Sequence, residues 1–566
     1  MLASEAFSLS PISRLHEEIM WMIFLKNTNI HDDLRLTTAL CSSQVCQKWR
    51  QLMFNSPSIW GRLIHLLDLR YTTSAWVEEI VSRSQNAPLW ITGPLRAYQQ
   101  SPVDPHIFLP LIRKNWERIE ILEVSDYWDS GQDPTADGND HAGYWRRLFS
   151  RPAPLLKELT FWYTCHSGPT RASPQTWLLP SPLLNGTAPG LRNFEIYRQL
   201  EMSGSRIPDK FTMDMPLSWF SNLRSFALRQ DLDVDRLLEL LRATPLLETL
   251  AITRFAASAT ESTKEQRIHV SLPRLAYLSL TNWDAPDIVR FLESISASVG
   301  CCLFILKPLQ YPPFPHQAQV IARAELLFAR YVQEYFDRHQ VAQLSLSYDN
   351  HYLGIEEIPL SAPWYSHFSL FIPHSEVNSW IVQLILTSPF FAHVEQLDLS
   401  NWEQSIPYAP SAFNSADTVK LQCEGLKSLL KYIEEDSDND LLPNLHTLTL
   451  HGEELSSEHE LHSVVSMRRH VSRPISVLDL SDIEAISCNL DALDGFVGLS
   501  IVFPRTLSTL VAKRDYVCGT GHPEVLRFHD PRYYDPSQTW LDQGRRYRRT
   551  AFEVYMYGWS GRSGQV

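Results

Sequence analysis

The stretch DVDRLLELLRATPLLETLAI, Asp233–Ile252, contains the pattern that decides the fold. Leucines at helical spacing predict a short helix that begins near Asp233 or Asp235 and ends before Pro245. In the following LETLAI, apolar residues occupy the first, fourth and sixth positions. The last two of these alternate as on a strand with one buried face. The stretch therefore predicts one helix followed by one short strand.

The strand pattern recurs along most of the chain. It appears as IEILEV (119–124), LKELTF (156–161), LRNFEI (191–196), LRSFAL (223–228), LETLAI (247–252), LAYLSL (275–280), VAQLSL (341–346), VEQLDL (394–399), LHTLTL (445–450), ISVLDL (475–480) and LSTLVA (507–512). The central apolar residues are Leu159, Phe194, Phe226, Leu250, Leu278, Leu344, Leu397, Leu448, Leu478 and Leu510. Each unit cannot bury its apolar face alone, so we expect the units to stack and these residues to form the core.

The spacing of the central residues is mostly 24 to 35, and three longer gaps would each fit about two repeats. CCLFILKPL (301–309) and FSLFIP (368–373) lie in two of those gaps and are candidate degenerate strands. The pattern resembles the leucine-rich repeat, with VLDLSD and EQLDLSNW closest, although the usual asparagine or cysteine after the strand is mostly absent. This resemblance implies an α/β fold with an irregular solenoid over residues 65–515.

The first 64 residues have a different pattern. RLHEEIMWMIFLKN places Leu15, Ile19, Met22 and Ile23 on one helical stripe. DDLRLTTALCSSQVCQKWRQLMF continues with apolar residues at helical spacing. A unit of about 50 residues buries little of its own surface, so it should dock on a partner or on the domain that follows. We expect Trp60, at the junction, to pack on the next domain.

These residues resemble an F-box. The motifs, in order, are LHEEI (15–19), IF (23–24), VCQKWRQL (45–52) and PSIW (57–60). The sequence departs from the family at His16, where proline is usual. The resemblance covers residues 10–64, and the whole chain is similar to fungal-type F-box proteins with degenerate leucine-rich repeats.

An F-box implies binding to the adaptor subunit of a cullin–RING ubiquitin ligase. The chain would then be a substrate-recognition subunit, with the repeats holding a substrate protein that the sequence does not identify. The residues that the resemblance assigns to adaptor binding are Leu15, Ile19, Ile23, Phe24, Leu36, Val45, Cys46, Trp49 and Leu52. The third segment, 516–566, is expected to be a C-terminal cap and tail.

Two alternatives remain. The chain could be an interaction scaffold whose F-box no longer engages the ligase, and His16 is the main support for that hypothesis. The tail GRRYRRTAFEVYMYGW, with Arg545, Arg546 and Tyr547, has the basic and aromatic composition of a nucleic-acid-binding segment. Its alternating aromatics also predict a closing strand, and we favour that interpretation.

Composition narrows the functional classes. A net charge of −14 disfavours nonspecific nucleic-acid or membrane binding, and eight cysteines without pairwise spacing favour a reducing compartment, cytoplasmic or nuclear. We expect no membrane span and no targeting leader. No nucleophile elbow, dinucleotide loop or metal-binding spacing occurs, so we predict no catalytic, cofactor-binding or metal-binding residues and a protein that is not an enzyme. The aspartate-rich segment 126–143 is expected to be a solvated surface loop.

Overall fold

The chain is a mixed α/β protein built on a large, mostly parallel sheet that does not close on itself. A computed structural model describes residues 12, 15–28, 35–69, 72–95, 105–129, 141–166, 180, 182–201, 217–229, 232–253, 268–305, 317–348, 352–358, 368–373, 391–402, 413–435, 442–456, 458–503 and 515–528. The chain divides into two compact units, Met1–His339 with Ser361–Pro373, and Gln340–Leu360 with His374–Val566. The segment boundaries at 64 and 515 stay a prediction.

The first unit begins with short helices. These are α1 (Glu17–Lys26), α2 (Arg35–Val45), α3 (Gln47–Phe54), α4 (Pro57–Gly61), α5 (Leu66–Leu69) and α6 (Ser74–Arg83), with the two-residue strand β1 (Ile64–His65) before α5. The helices α7 (Pro105–Lys114), α8 (His141–Phe149), α9 (Val234–Leu241), α10 (Ala285–Ser294) and α11 (Gln317–Phe336) follow.

The strands of the first unit form a parallel ladder. They are β2 (Leu89–Pro94), β3 (Ile119–Asp129), β4 (Glu158–His166), β5 (Asn193–Glu201), β6 (Ser225–Arg229), β7 (Thr249–Thr253), β9 (Tyr277–Thr281), β11 (Cys302–Ile305) and β14 (Ser369–Pro373). Each pairs in parallel with the one before it in this order, and β1 pairs with β2. Two further strands, β8 (Val270–Leu272) and β10 (Ile295–Ala297), form a small separate parallel pair.

The second unit repeats the arrangement. Its strands are β12 (Gln343–Tyr348), β13 (Tyr352–Glu357), β15 (Gln396–Trp402), β16 (Thr418–Gln422), β17 (Thr447–Leu455), β18 (Val477–Ile486), β19 (Ser500–Val502) and β20 (Asp515–Val517). The strands β12, β15, β16, β17, β18 and β19 pair in parallel in that order. The flanking strands β13 and β20 are antiparallel. Helices α12 (Gly425–Glu435) and α13 (Glu458–His470) precede β17 and β18.

The predicted central residues lie opposite one another. In the first unit Leu159, Phe194, Phe226, Leu250 and Leu278 form one continuous register row. All are buried, as are Leu344, Leu397, Leu448 and Leu478 of the second unit. The prediction that these motifs form short parallel strands around a core is therefore confirmed. Leu510 lies outside the described residues, and Ile501 of β19 takes the place beside Leu478.

One backbone hydrogen-bond arrangement recurs where the strands begin. In this hydrogen-bond fork, a carbonyl just before one strand accepts the N–H groups of two consecutive residues at the start of the next strand. In the first unit the carbonyl of Arg192 accepts the N–H groups of Arg224 and Ser225, at 2.8 and 3.0 Å. The carbonyl of His446 does the same in the second unit, at 2.9 and 3.1 Å from Ser476 and Val477. The backbone itself thus satisfies polar groups at the strand entrances.

Buried tryptophans fill the space between helices and strands. Trp116 donates its indole N–H to the carbonyl of Pro152 at 2.9 Å, and Trp283 donates to Ile252 at 3.2 Å. Trp145 donates to a carboxylate oxygen of Asp126 at 2.8 Å, and both side chains are buried. The prediction of a solvated loop over 126–143 is wrong at both ends, because β3 extends to Asp129 and α8 begins at His141. The carboxylate of Asp126 accepts the hydrogen bond from this indole. Residues 130–140 lie outside the described residues.

Candidate functional site

The candidate site is the surface of α1, α2 and α3, where the predicted adaptor-binding residues lie. Helix α1 starts with His16 as its N-cap, whose Nδ1 accepts a hydrogen bond from the N–H of Glu18 at 3.4 Å. Glu17 and Glu18 occupy the first turn and Lys26 the last, which matches the helix dipole. The helix therefore begins after His16, the position where the F-box family usually has proline.

The two faces of α1 differ in burial. Met20 and Phe24 are buried, and they point toward the helices that follow. Ile19, Met22 and Ile23 are 43 %, 53 % and 40 % exposed, although all three are large apolar residues. Positions i, i+3 and i+4 share one side of a helix, so these three make one outward apolar stripe. We call Ile19, Met22 and Ile23 the α1 stripe.

Helix α3 holds α1 in place through an aromatic contact. The rings of Phe24 and Trp49 meet edge to face, with centroids 5.0 Å apart. Such pairs contribute about 0.5–1.5 kcal/mol beyond the area they bury. Since Phe24 is anchored in this way, Ile23, about 100° around the helix axis from it, is held on an outward-facing side.

The junction between α2 and α3 is also exposed. Val45, the last residue of α2, is 63 % exposed, and Cys46 beside it is an exposed free thiol. The sulfur of Cys46 caps α3 by accepting a hydrogen bond from the N–H of Trp49 at 3.5 Å. Arg50 donates to the carbonyl of Ser43 at 3.1 Å and ties α3 back to α2.

The N-terminal helices are joined to the strands that follow. The buried guanidinium of Arg35 in α2 donates to the hydroxyl of Thr92 in β2. Trp60 is buried, and its indole N–H donates to the carbonyl of Met53 at 2.8 Å. The guanidinium carbon of Arg83 in α6 lies 4.6 Å from the centroid of the Trp60 ring. The expectation that Trp60 packs on the segment after residue 64 is therefore confirmed.

The nine predicted adaptor-binding residues fall into three groups by exposure. Ile19, Ile23, Val45 and Cys46 are exposed; Leu15, Trp49 and Leu52 are half-buried; Phe24 and Leu36 are buried. The two buried residues support the helices from inside and offer little surface to a partner. The assignment of the set to adaptor binding stays a prediction.

The predicted set of contact residues did not include Met22, Phe54 or Arg35. Met22 belongs to the α1 stripe, and its spacing from Ile19 is the sequence signal that includes it. Phe54, at the end of α3, is 42 % exposed, and Arg83 covers one side of its ring at 4.5 Å. No local pattern indicates that Arg35 is buried, because its partner lies 57 residues away.

The described residues contain neither a metal-ligand cluster nor a helix that could span a membrane. Within the described ranges, no three histidine, cysteine, aspartate or glutamate side chains lie together in an arrangement that could hold a metal ion. No described helix combines the length and apolarity needed to cross a membrane. The basic tail with Arg545 and Arg546 lies outside the described residues.

The chain matches no protein-family model, and no curated protein matches it.

Proposed function

We propose that this chain is the substrate-recognition subunit of a cullin–RING ubiquitin ligase of the SCF type. In this proposal α1 to α3 are an F-box that binds the adaptor subunit, and a solenoid of irregular leucine-rich repeats holds the substrate. The cullin and RING subunits would complete the assembly and carry out ubiquitin transfer, so this chain would not be an enzyme. It would act in the cytoplasm or nucleus.

The α1 stripe is the observation that carries the proposal. Exposed single apolar residues are common, but three of them on one side of a ten-residue helix form a surface that water solvates poorly. Covering such a surface stabilises a complex by about 25 cal/mol for each Å² of apolar area removed from water. The motif resemblance places the adaptor on this side of the helix.

The two parallel ladders support the second half of the proposal. Most of their inward residues are apolar, and neighbouring strands repeat one hydrogen-bond fork. Stacked repeats present successive strands side by side, which creates a long surface for a protein substrate. Holding a substrate there would raise its effective concentration beside the ligase without any chemistry by this chain.

The second candidate function is an interaction scaffold without ligase activity. Its support is His16, which stands where the F-box family usually has proline. The histidine caps α1 but is exposed, so an adaptor surface shaped for proline would meet a larger polar ring. In this alternative the α1 stripe would contact some other protein.

Reconstitution with purified subunits tests the proposal. The intact chain is mixed with the adaptor, and the mixture is separated by gel filtration; then the cullin, RING protein, ubiquitin and its activating and conjugating enzymes are added. The proposal expects a one-to-one complex with the adaptor and ubiquitin transfer that depends on it. A chain that elutes alone at micromolar concentrations refutes the ligase role and favours the scaffold.

A further inference from the structure

Two glutamates flank a threonine on the polar face of the first ladder. Glu123 of β3 lies opposite Thr160 of β4, which lies opposite Glu195 of β5. Neighbouring strands are about 4.8 Å apart, so the strands that carry the two carboxylates are about 10 Å apart with Thr160 between them. The alternate residues of these strands, such as Leu159, form the core, so the three polar residues face away from it.

An exposed indole lies two residues further along β4. Trp162 is 49 % exposed, and its ring meets Tyr197 of β5 with centroids 4.9 Å apart at 70°. An exposed tryptophan held by a neighbour is already ordered, so a partner that covers it loses little side-chain entropy on binding. Tryptophan is also among the residues that contribute most binding energy in protein interfaces.

The carboxylate of Glu195 is fixed in this arrangement. The side chains of Tyr197, Trp162 and Thr160 hydrogen-bond to it. Burial raises the pKa of Glu195 most, the Tyr197 hydrogen bond lowers it, and the negative charge of Glu123 raises it again. The net pKa is above the ordinary value because burial outweighs the hydrogen bonds, and a cation from outside would stabilise the ionised form of Glu195.

Arg229 is a neighbouring cation on this face. The guanidinium of Arg229, on β6, is 5.8 Å from the ring centroid of Tyr197. In the strand register Arg229 of β6 is level with Tyr197 of β5 and with Trp162 of β4, two residues past Thr160. It therefore lies against the ring of Tyr197, on the side away from β3.

We propose that this face of β3, β4 and β5 binds an extended segment of a partner protein through an arginine side chain. The guanidinium lies over Thr160, between Glu123 and Glu195, and stacks on the indole of Trp162. We call these four residues the Trp162 surface. It is independent of the proposed adaptor contact, because it uses other residues of the first unit.

Arginine fits this surface better than other cations or anions. Its planar guanidinium carries five donors, can bond two carboxylates at once and stacks on an aromatic ring. Lysine would supply the charge but neither the bidentate geometry nor the stacking. Two carboxylates exclude a phosphate-bearing partner at this position, since like charges repel.

Selection from a random peptide library tests the proposal. A library of nine-residue linear peptides displayed on phage is selected on the intact chain and, in parallel, on Trp162→Ala, Glu123→Gln and Glu195→Gln. Two controls, Glu78→Gln and Leu155→Ala, change an exposed charge and an exposed apolar residue elsewhere. Thermal unfolding of each variant shows that it remains folded.

The expected result is enrichment of arginine-containing peptides on the intact chain and on both controls, with loss on Trp162→Ala. An enriched peptide should bind at least ~10-fold more weakly to Glu123→Gln or Glu195→Gln, and about as weakly when its arginine is replaced by citrulline. An empty selection, enrichment without arginine, or arginine enrichment that persists on Trp162→Ala overturns the proposal. Since no adaptor is present, the outcome is separate from that of the ligase proposal.

Discussion

Phe24 and Trp49 meet edge to face, with 5.0 Å between their ring centroids, and this contact orients α1 on α3. Phe24 is buried, while Ile23, its neighbour in sequence, is 40 % exposed. One aromatic pair thus determines which side of the first helix faces water. The proposed adaptor contact depends on that orientation.

Replacing Phe24 with alanine should loosen the N-terminal helices. The change removes a buried ring and leaves a cavity, which typically costs about 3–5 kcal/mol in a protein core. Amide hydrogen exchange should become faster in α1 and α3 and stay unchanged in β15 to β18 of the second unit. Met22→Ala, on the exposed side of α1, is the matched control and should leave exchange unchanged. Equal exchange in both variants would show that Phe24 does not hold the helices.

Leu250→Ala should destabilise the first unit. Leu250 is fully buried, between Phe226 and Leu278 in the register row, so the lost methyl groups leave a void. We expect about 2–5 kcal/mol lower free energy of unfolding in a denaturant titration. Leu155→Ala, at an exposed leucine, should change it by no more than about 0.5 kcal/mol. A loss at Leu250 as small as that at Leu155 would contradict the ladder core.

Glu195→Gln should stabilise the chain at neutral pH. Because the pKa of Glu195 is raised in the folded state, its contribution to stability is present below the unfolded pKa and is lost as the pH rises through the folded pKa. The glutamine keeps the shape and removes the charge. The variant should therefore unfold at a higher temperature than the wild type at pH 7, and the difference should shrink toward pH 4.

The control for this prediction is Glu78→Gln, on the exposed surface of α6. It removes the same charge from a solvated position and should give no comparable pH-dependent difference. A Glu195→Gln variant that is less stable than the wild type at pH 7 would mean that hydrogen bonds to the carboxylate outweigh its burial.

Much of the sheet was predictable because many of its strands have the same local pattern. The alternation of Leu250 and Ile252 predicts that both side chains face the core, and both are buried. The two candidate degenerate strands are also present, as Cys302–Ile305 and Ser369–Pro373. Strand Thr418–Gln422 was not located, since its pattern, TVKLQ, lacks the leading leucine. The antiparallel strands β13 and β20 were also missed, because strands outside the repeat do not carry its pattern.

The candidate site was predictable only in part. Helical spacing places Ile19 and Ile23 on one stripe, and both are exposed as a docking surface requires. The F-box resemblance also assigns Phe24 and Leu36 to the contact, although both are buried, because a motif match does not show which side of a short helix faces the protein. The Trp162 surface combines residues from β3, β4 and β5, and only the register between the strands brings them together.

The affinity of the intact chain for the purified adaptor tests the central claim most directly. Isothermal titration compares the wild type with Ile19→Asp/Ile23→Asp, Val45→Asp and the control Leu155→Asp. A charge buried without a partner in an interface costs several kcal/mol, so the double variant should bind at least ~100-fold more weakly, and Val45→Asp should also weaken binding. Changes at exposed positions should alter the free energy of unfolding by no more than about 0.5 kcal/mol. A wild type that does not bind, or a double variant that binds equally well, would contradict the account.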